Sequence, residues 1–331
     1  MEGLPQMADF YSFLEEHNDA SWAAIVEELQ PAMHPVDRRA ARIWISFFPV
    51  KLWRSLTGSE ETEAVAKRLL LKGTYLLRDQ VDSSAEFLYG HRYWPAVKQA
   101  VSEHAAAGSE APLAGQIREV ARRVAEKTKA PESLLVGITV AAFGTLQQVG
   151  AELFRQPAAA GRYGKDWNRS ADQVVADRLK DDGQGLLGFL RTVDKQFSVN
   201  FREYAPQSTF KIVNLQDVTM AAALDKRDHH TRDPRCPAGE GPIPVECRTA
   251  ACGTCWVGVL SPTEKISPPN DREKNKWRYF GYEGFTAEPD SPIRLACQMK
   301  AQGNITLAIP PWCGMIGKLD DAEEQTQAAG A

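Results

Sequence analysis

Three cysteines within nine residues are the feature of this sequence best suited to chemistry. They are Cys247, Cys252 and Cys255 in the stretch "CRTAACGTC", with the spacing C-x4-C-x2-C. A fourth cysteine, Cys297, follows in "RLACQMKAQGNITL", and the whole chain of 331 residues contains only six. In a reducing compartment, clustered cysteines indicate metal binding or catalysis rather than disulfides.

The spacing favours an iron–sulfur cluster over a single metal ion. Two irons with two bridging sulfides need four terminal thiolates, and C-x4-C-x2-C with a distant fourth cysteine is the plant-type pattern of [2Fe–2S] ligation. Small residues such as Ala250 and Gly253 suit a tight loop whose N–H groups point at the sulfurs. Structural zinc usually takes two close pairs of ligands, whereas this sequence has one. Zinc and buried free thiols stay open as alternatives.

The segment from about Phe197 to Pro311 resembles plant-type [2Fe–2S] ferredoxin domains, which have the β-grasp fold. The resemblance rests on "VECRTAACGTCWVGVLS", on "DVTMAAAL" and on "SPIRLACQMKAQGNITLAIP". It implies one cluster that carries one electron at a time, and no catalytic residue. It implies that Cys247 and Cys252 hold the iron nearer the solvent. The predicted metal- and cofactor-binding residues are Cys247, Cys252, Cys255 and Cys297, and the last two would hold the second iron.

Two features set this segment apart from small ferredoxins. There are 41 residues between Cys255 and Cys297, more than we expect for the family, and "NDREKNKWRYFGYEGFTAEPD" is the extension. One use of that extension is a surface for docking a partner.

Residues 201–318 carry 15 Lys and Arg against 13 Asp and Glu, whereas plant ferredoxins are strongly acidic. We therefore expect a dedicated, stably held partner rather than long-range steering to a basic reductase.

Four further residues of this half are candidates for a role at the site. Cys236 and Cys313 are predicted to be ordinary thiols, with Cys313 exposed enough to react because it follows "IPPW" at the end of the last strand. His229 and His230 could replace two cysteines, as in Rieske centres. Since four cysteines already satisfy a cluster, we expect these histidines to lie in a solvated loop.

The periodicity of the sequence changes near Phe197, and this change predicts an α+β chain. Upstream segments such as "APLAGQIREVARRVAEKTKA" place apolar residues three and four apart, as in amphipathic helices. Downstream, "FSVNFREY" and "TFKIVNL" alternate, as in a β-hairpin. We predict an all-α domain over residues 1–195, a β-grasp ferredoxin-like domain over 196–313 and a flexible acidic tail over 314–331.

The helical half contains no pattern to which we assign chemistry. Its histidines lack the Glu-x-x-His spacing of a di-iron bundle, and no glycine-rich nucleotide motif is found. The window "SLLVGITVAAFGTLQQVGAELF" is the most apolar, but Gln147, Gln148 and Glu152 interrupt it, so we predict a buried helix. Peripheral membrane association stays open as an alternative.

The composition and the N-terminal residues indicate where the protein is located and which kinds of partner it has. A formal net charge of −4 does not favour a nucleic-acid partner. The N-terminus has neither the basic nor the apolar region of a secretory signal. These observations predict a cytoplasmic protein, with the cytoplasmic face of a membrane complex as an alternative.

The sequence therefore predicts a single-electron carrier that is a dedicated subunit or partner of a multisubunit oxidoreductase. An electron-transfer protein is favoured over a stand-alone enzyme. One alternative is a catalytic oxidoreductase subunit with a second cofactor or substrate site in the helical domain. Another is a redox-sensing or structural iron–sulfur protein.

Overall fold

The computed structural model describes residues 10–58, 62–158, 168–180, 195–205, 207–282 and 291–319. The chain divides into two compact units. Unit 1 comprises Met1–Arg54 and Leu76–Arg162, and unit 2 comprises Ser55–Tyr75 and Tyr163–Ala331. Unit 1 is helical and unit 2 contains a mixed sheet, so the predicted α+β class is confirmed.

Capping and proline residues mark the starts of several helices of unit 1. They are α1 (residues 10–15), α2 (Asp19–Leu29), α3 (Pro35–Phe47), α4 (Val50–Thr57, which continues into unit 2), α6 (Trp94–Ala107), α7 (Leu113–Thr128) and α8 (Ser133–Phe154). Asn18 caps α2, accepting a hydrogen bond from the Ser21 N–H at 3.0 Å. Pro35 opens α3, and Pro49 lies between α3 and α4.

Helix α8 forms the core of unit 1. Its apolar side chains from Leu134 to Leu146 are buried almost without exception. Among the described helices it alone is long and apolar enough to cross a membrane by length and composition, and 78% of its apolar window is buried within the structure. Core helices of soluble proteins meet the same criterion. The prediction of a buried helix is confirmed.

Unit 2 is built on a five-stranded mixed sheet. Its elements are α5 (Thr62–Arg68), β1 (Lys72–Gly73), α9 (Ala171–Leu179), β2 (Gln196–Asn200), β3 (Thr209–Val213), α10 (Val218–Ala222), β4 (Trp256–Val259), α11 (Asp271–Phe280), β5 (Ile293–Leu295), β6 (Ile305–Ala308) and β7 (Trp312–Cys313). The strand order is β3-β2-β6-β4-β5, with β2 and β6 parallel and the other neighbours antiparallel. The predicted hairpin is β2–β3, in which Phe197 lies opposite Ile212.

The two units do not divide at residue 195, where the sequence predicts a boundary. Strand β1 pairs with β7 and is an exception to the all-α character expected of the first half. Helix α9 is tied to unit 2 by a buried ion pair, in which Arg178 Nε donates to Glu203 Oε1 at 2.8 Å. The position of the boundary between independently folding domains stays a prediction.

The flexible tail does not begin at residue 314. Met315, Ile316 and Leu319 are buried, and the Met315 N–H donates to the Leu69 carbonyl at 2.9 Å. The prediction of a tail over 314–331 is therefore wrong for residues 314–319, because their apolar side chains pack in unit 2. Residues 320–331 lie outside the described part of the chain.

The buried ion pair of α9 allows a test of the domain boundary. Replacing Arg178 by Met leaves the Glu203 carboxylate buried without its partner, which costs about 3–5 kcal/mol. We expect Arg178→Met to lower the urea concentration at which unit 2 unfolds. Unfolding of the purified protein is monitored by tryptophan fluorescence and by visible absorbance. The matched control is Arg122→Met, in an exposed pair with Glu126, which costs less than about 1 kcal/mol. Unchanged visible absorbance through the unfolding of Arg178→Met would place α9 outside the domain.

Candidate metal centre

The pairing of β4 with β5 brings two distant cysteines together. Strand β4 starts directly after Cys255, and Cys297 follows β5 by two residues. Trp256 lies opposite Leu295, and the Ala296 N–H donates to the Cys255 carbonyl at 2.9 Å. Because of this register the Cys255 and Cys297 thiols are neighbours, and both are buried.

The loop between Cys247 and Cys255 is tightly bent around the sulfurs. Arg248 and Ala250 have positive φ values of 55° and 60°, a conformation that costs a residue with a Cβ about 1–3 kcal/mol. This bend directs backbone donors to one thiol, since the Ala251 and Thr249 N–H groups donate to Cys247 Sγ at 3.2 Å and 3.4 Å. The loop is therefore shaped to stabilise negative charge on sulfur.

Side chains supply further polar contacts to the sulfurs. Cys252 Sγ and Thr254 Oγ1 lie 3.1 Å apart. Gln298 Nε2 donates to Cys297 Sγ at 3.3 Å. Hydrogen bonds of this kind orient metal ligands and tune the potential of an iron–sulfur centre.

The four thiols lie as two neighbouring pairs, in which Cys252 affects the pKa of Cys247 and Cys297 affects the pKa of Cys255. The first pair is partly exposed and the second is buried. Within the described ranges, no three His, Cys, Asp or Glu side chains are grouped so as to hold one metal ion. Two pairs agree with two irons that each bind two thiolates, and with the solvent-facing pair that the resemblance implies.

In each pair, one thiol has a pKa lowered to about 7. Burial raises the pKa of Cys247, but hydrogen bonds from Thr249, Cys252 and Ala251 bring it down to about 7. The Cys255 thiol lowers the pKa of Cys297 to about 7. Conversely, Cys297 and complete burial hold the pKa of Cys255 well above its usual value. Since the thiolate is the form that binds metal, both pairs fit a metal-bound group.

Comparison with protein families agrees with this geometry. Residues 237–302 match the family of 2Fe-2S iron-sulfur cluster binding domains. This segment is a [2Fe–2S] cluster binding domain. The match spans well under half of the chain and leaves the helical N-terminal region without a family. Comparisons with curated proteins and with solved structures gave no match.

The cluster domain, residues 237–302, contains all four predicted ligands and confirms the predicted cofactor, a [2Fe–2S] cluster. It supports the role of an iron–sulfur electron carrier. The assignment of Cys247, Cys252, Cys255 and Cys297 as the individual ligands stays a prediction, which their two-pair arrangement supports.

The remaining cysteines differ from the four in the pairs. Cys236 and Cys313 are both buried, and burial raises the pKa of both thiols, to about 12 for Cys236. The expectation that Cys313 is exposed enough to react is wrong, because β7 pairs with β1 and its side chains are buried.

The structure gives the paired histidines partners other than the four cysteine sulfurs. His229 Nε2 lies 3.0 Å from Asp225 Oδ2, and its ring packs edge-on against Phe201. His230 Nδ1 lies 2.7 Å from the Cys236 carbonyl. The expected solvated loop applies to His230, which is exposed, whereas His229 is partly buried by its neighbours.

In unit 1 the histidines of α6 and the turn before it have structural partners. His104 Nε2 lies 2.7 Å from Gln116 Oε1, and His91 Nε2 lies 2.7 Å from the Asp82 carbonyl. The Asp82 carboxylate accepts from the buried Lys98 ammonium at 2.6 Å. These contacts are structural ones within unit 1.

Helix α11, in the sequence extension after Cys255, holds strand β5 next to the cysteine site. Glu273 of α11 is fully buried and accepts two hydrogen bonds from Arg294, at 2.9 Å and 2.8 Å. The same carboxylate accepts from the Leu295 N–H at 2.7 Å. Helix α11 therefore anchors β5 and, through it, Cys297. Whether the extension also docks a partner stays a prediction, and residues 283–290 lie outside the described ranges.

Sequence reasoning missed one residue of this region, Lys72. Its ammonium forms an ion pair with Glu246, next to Cys247. The two residues are 174 positions apart, and Lys72 is one of two lysines in a stretch that reads as a helix. No local signal could have found it.

The first prediction for the site concerns the four cysteines. Replacing any one of Cys247, Cys252, Cys255 or Cys297 by Ser removes a thiolate, and we expect the purified variant to lose most of its iron, sulfide and visible absorbance. Cys236→Ser and Cys313→Ser are the matched controls and should keep all three. Full occupancy in a paired-cysteine variant, or its loss in a control, would contradict the ligand assignment.

The second prediction concerns Gly253, whose φ is +67°. A Cβ there would lie 2.7 Å from Phe280 Cε1, so Gly253→Ala combines about 1–2 kcal/mol of backbone strain with about 1–3 kcal/mol of overpacking. Gly239 also has positive φ, but a Cβ added there would have no atom within 4 Å. We therefore expect Gly239→Ala to lower the unfolding free energy less than Gly253→Ala, as measured by urea titration. Equal losses would show that Phe280 does not confine the loop.

Proposed function

We propose that this protein is a single-electron carrier with one [2Fe–2S] cluster, working as a dedicated subunit or partner of a larger oxidoreductase. The observation that carries the proposal is the arrangement of thiols in the cluster domain, one pair partly exposed and the other buried. A buried pair protects a bound group from water, and a partly exposed pair brings it within reach of another protein.

A [2Fe–2S] cluster, when bound, takes up one electron and releases it again. The residues of the chain prepare the site for that change in charge. The N–H groups of Thr249 and Ala251 already point at Cys247 Sγ, and Gln298 Nε2 points at Cys297 Sγ. The electron would come from a one-electron donor such as a reduced flavin or another iron–sulfur centre, and would pass to an acceptor of the same kind.

The surface beside the cysteine loop supports a protein partner. Met220 of α10 and Leu224, two residues beyond the end of α10, are both exposed. Arg248 of the loop lies 3.9 Å from Met220 Sδ and is paired with Glu240, so its charge is largely balanced. Exposed apolar side chains with balanced charge suit a close, stable contact better than long-range steering.

A cytoplasmic location is part of the proposal. All six cysteines are free thiols, as is usual where the surroundings are reducing. The proposal includes no nucleic-acid partner, since the chain has a net negative charge of −4.

The test is a spectrum of anaerobically purified full-length protein before and after dithionite. We expect two irons and two sulfides per chain, visible absorbance that bleaches on reduction, and a rhombic EPR signal of about one spin. Reoxidation by cytochrome c, a one-electron acceptor, should restore the absorbance. Cys236→Ser is the matched control and should behave like the wild type.

Two results would overturn the proposal. One is zinc, or no metal, in the freshly purified protein. The other is a cluster that dithionite reduces but that does not return to its starting spectrum, because a carrier must release the electron that it accepts. A second optical band beyond the cluster spectrum would instead favour a catalytic subunit with another cofactor.

A further inference from the structure

A lysine from the first half of the sequence lies beside the cysteine loop within unit 2. Lys72 is in β1, directly opposite Cys313 of β7. Its neighbour Gly73 has φ +86°, and a Cβ there would collide with the Pro311 carbonyl oxygen. The Thr74 N–H donates to that same carbonyl at 2.9 Å. The backbone that carries Lys72 is therefore held closely against β7 and the residue before it, Pro311.

An ion pair with Glu246 holds the side chain of Lys72 at the start of the cysteine loop. The two side chains form an ion pair, and Glu246 immediately precedes Cys247. The Glu246 N–H donates to Thr254 Oγ1 at 3.2 Å, and Thr254 Oγ1 lies 3.1 Å from Cys252 Sγ. The Lys72–Glu246 ion pair thus lies at the start of the cysteine loop, and the Glu246 backbone is linked to Cys252 through Thr254.

The sign of each effect follows from electrostatics. Reduction adds one negative charge to the site, so a nearby cation stabilises the reduced form and a nearby carboxylate destabilises it. The ion pair with Glu246 raises the pKa of Lys72, so its ammonium stays charged at neutral pH. Because the two side chains are 49% and 50% exposed, salt should screen part of the effect.

We propose that the Lys72–Glu246 pair sets the reduction potential of the cluster, with Lys72 raising it and Glu246 lowering it. The inference rests on the proposed function and deepens it, because it names the residues that decide which donors and acceptors match the carrier. It also makes the potential depend on residues 55–75, which lie far from the cluster domain in sequence but belong to the same compact unit.

The experiment is a mediated redox titration of full-length protein with dithionite, followed by absorbance at low ionic strength. Lys72→Met should lower the midpoint potential and Glu246→Gln should raise it, with the double variant between them. Both shifts should shrink in high salt. Lys211→Met is the matched control, because Lys211 is an exposed lysine of the same unit whose ammonium donates to Ser198 Oγ at 3.0 Å; it should titrate like the wild type.

The opposite signs separate tuning from a structural role. A pair that only holds the loop would give shifts of the same sign, or loss of iron from both variants, and either result would overturn the inference. Unchanged midpoint potentials in both variants would also overturn the inference, provided that the wild-type cluster gives a reversible couple. If Lys72→Met alone loses its cluster, Glu246→Gln decides the matter through the direction of its shift. A wild-type cluster without a reversible couple overturns the proposed function and this inference together.

Discussion

The antiparallel register of β4 with β5 is the constraint on which the metal centre depends. Cys255 and Cys297 are separated by 41 residues, and only the pairing of Trp256 with Leu295 makes their thiols neighbours. The exposed pair, Cys247 and Cys252, needs no such help because a short bent loop brings its sulfurs together. A slip of one residue between the strands would turn the side chains to the other face and separate the buried pair.

The buried Glu273–Arg294 pair maintains that register from the other side of β5. Taking two charges out of water is costly, so such a pair adds little net stability, although its loss is severe once it is in place. Its geometry is specific, since one carboxylate receives the guanidinium and the Leu295 N–H together. The long segment before Cys297 therefore has a structural use, which the comparison with small ferredoxins had not indicated.

Local patterns predicted what local chemistry controls. The alternation of "FSVNFREY" and "TFKIVNL" predicts the β2–β3 hairpin, and the apolar run Ser133–Phe154 predicts the buried helix. Both patterns depend only on neighbouring residues. The limits of the compact units depend on contacts between distant residues. The Arg178–Glu203 pair draws α9 into unit 2, and the burial of Met315 and Ile316 draws in residues that look like the start of a tail.

By itself, the sequence determined the kind of centre, because four thiolates with this spacing and small residues between them suit a [2Fe–2S] cluster. It also determined the helical and mixed character of the two halves through their periodicity. Only the tertiary structure decided how Cys297 reaches Cys255, how deeply each thiol is buried, and that Lys72 stands beside Glu246. Those properties arise from contacts between residues far apart in the chain, for which a linear sequence carries no spacing signal.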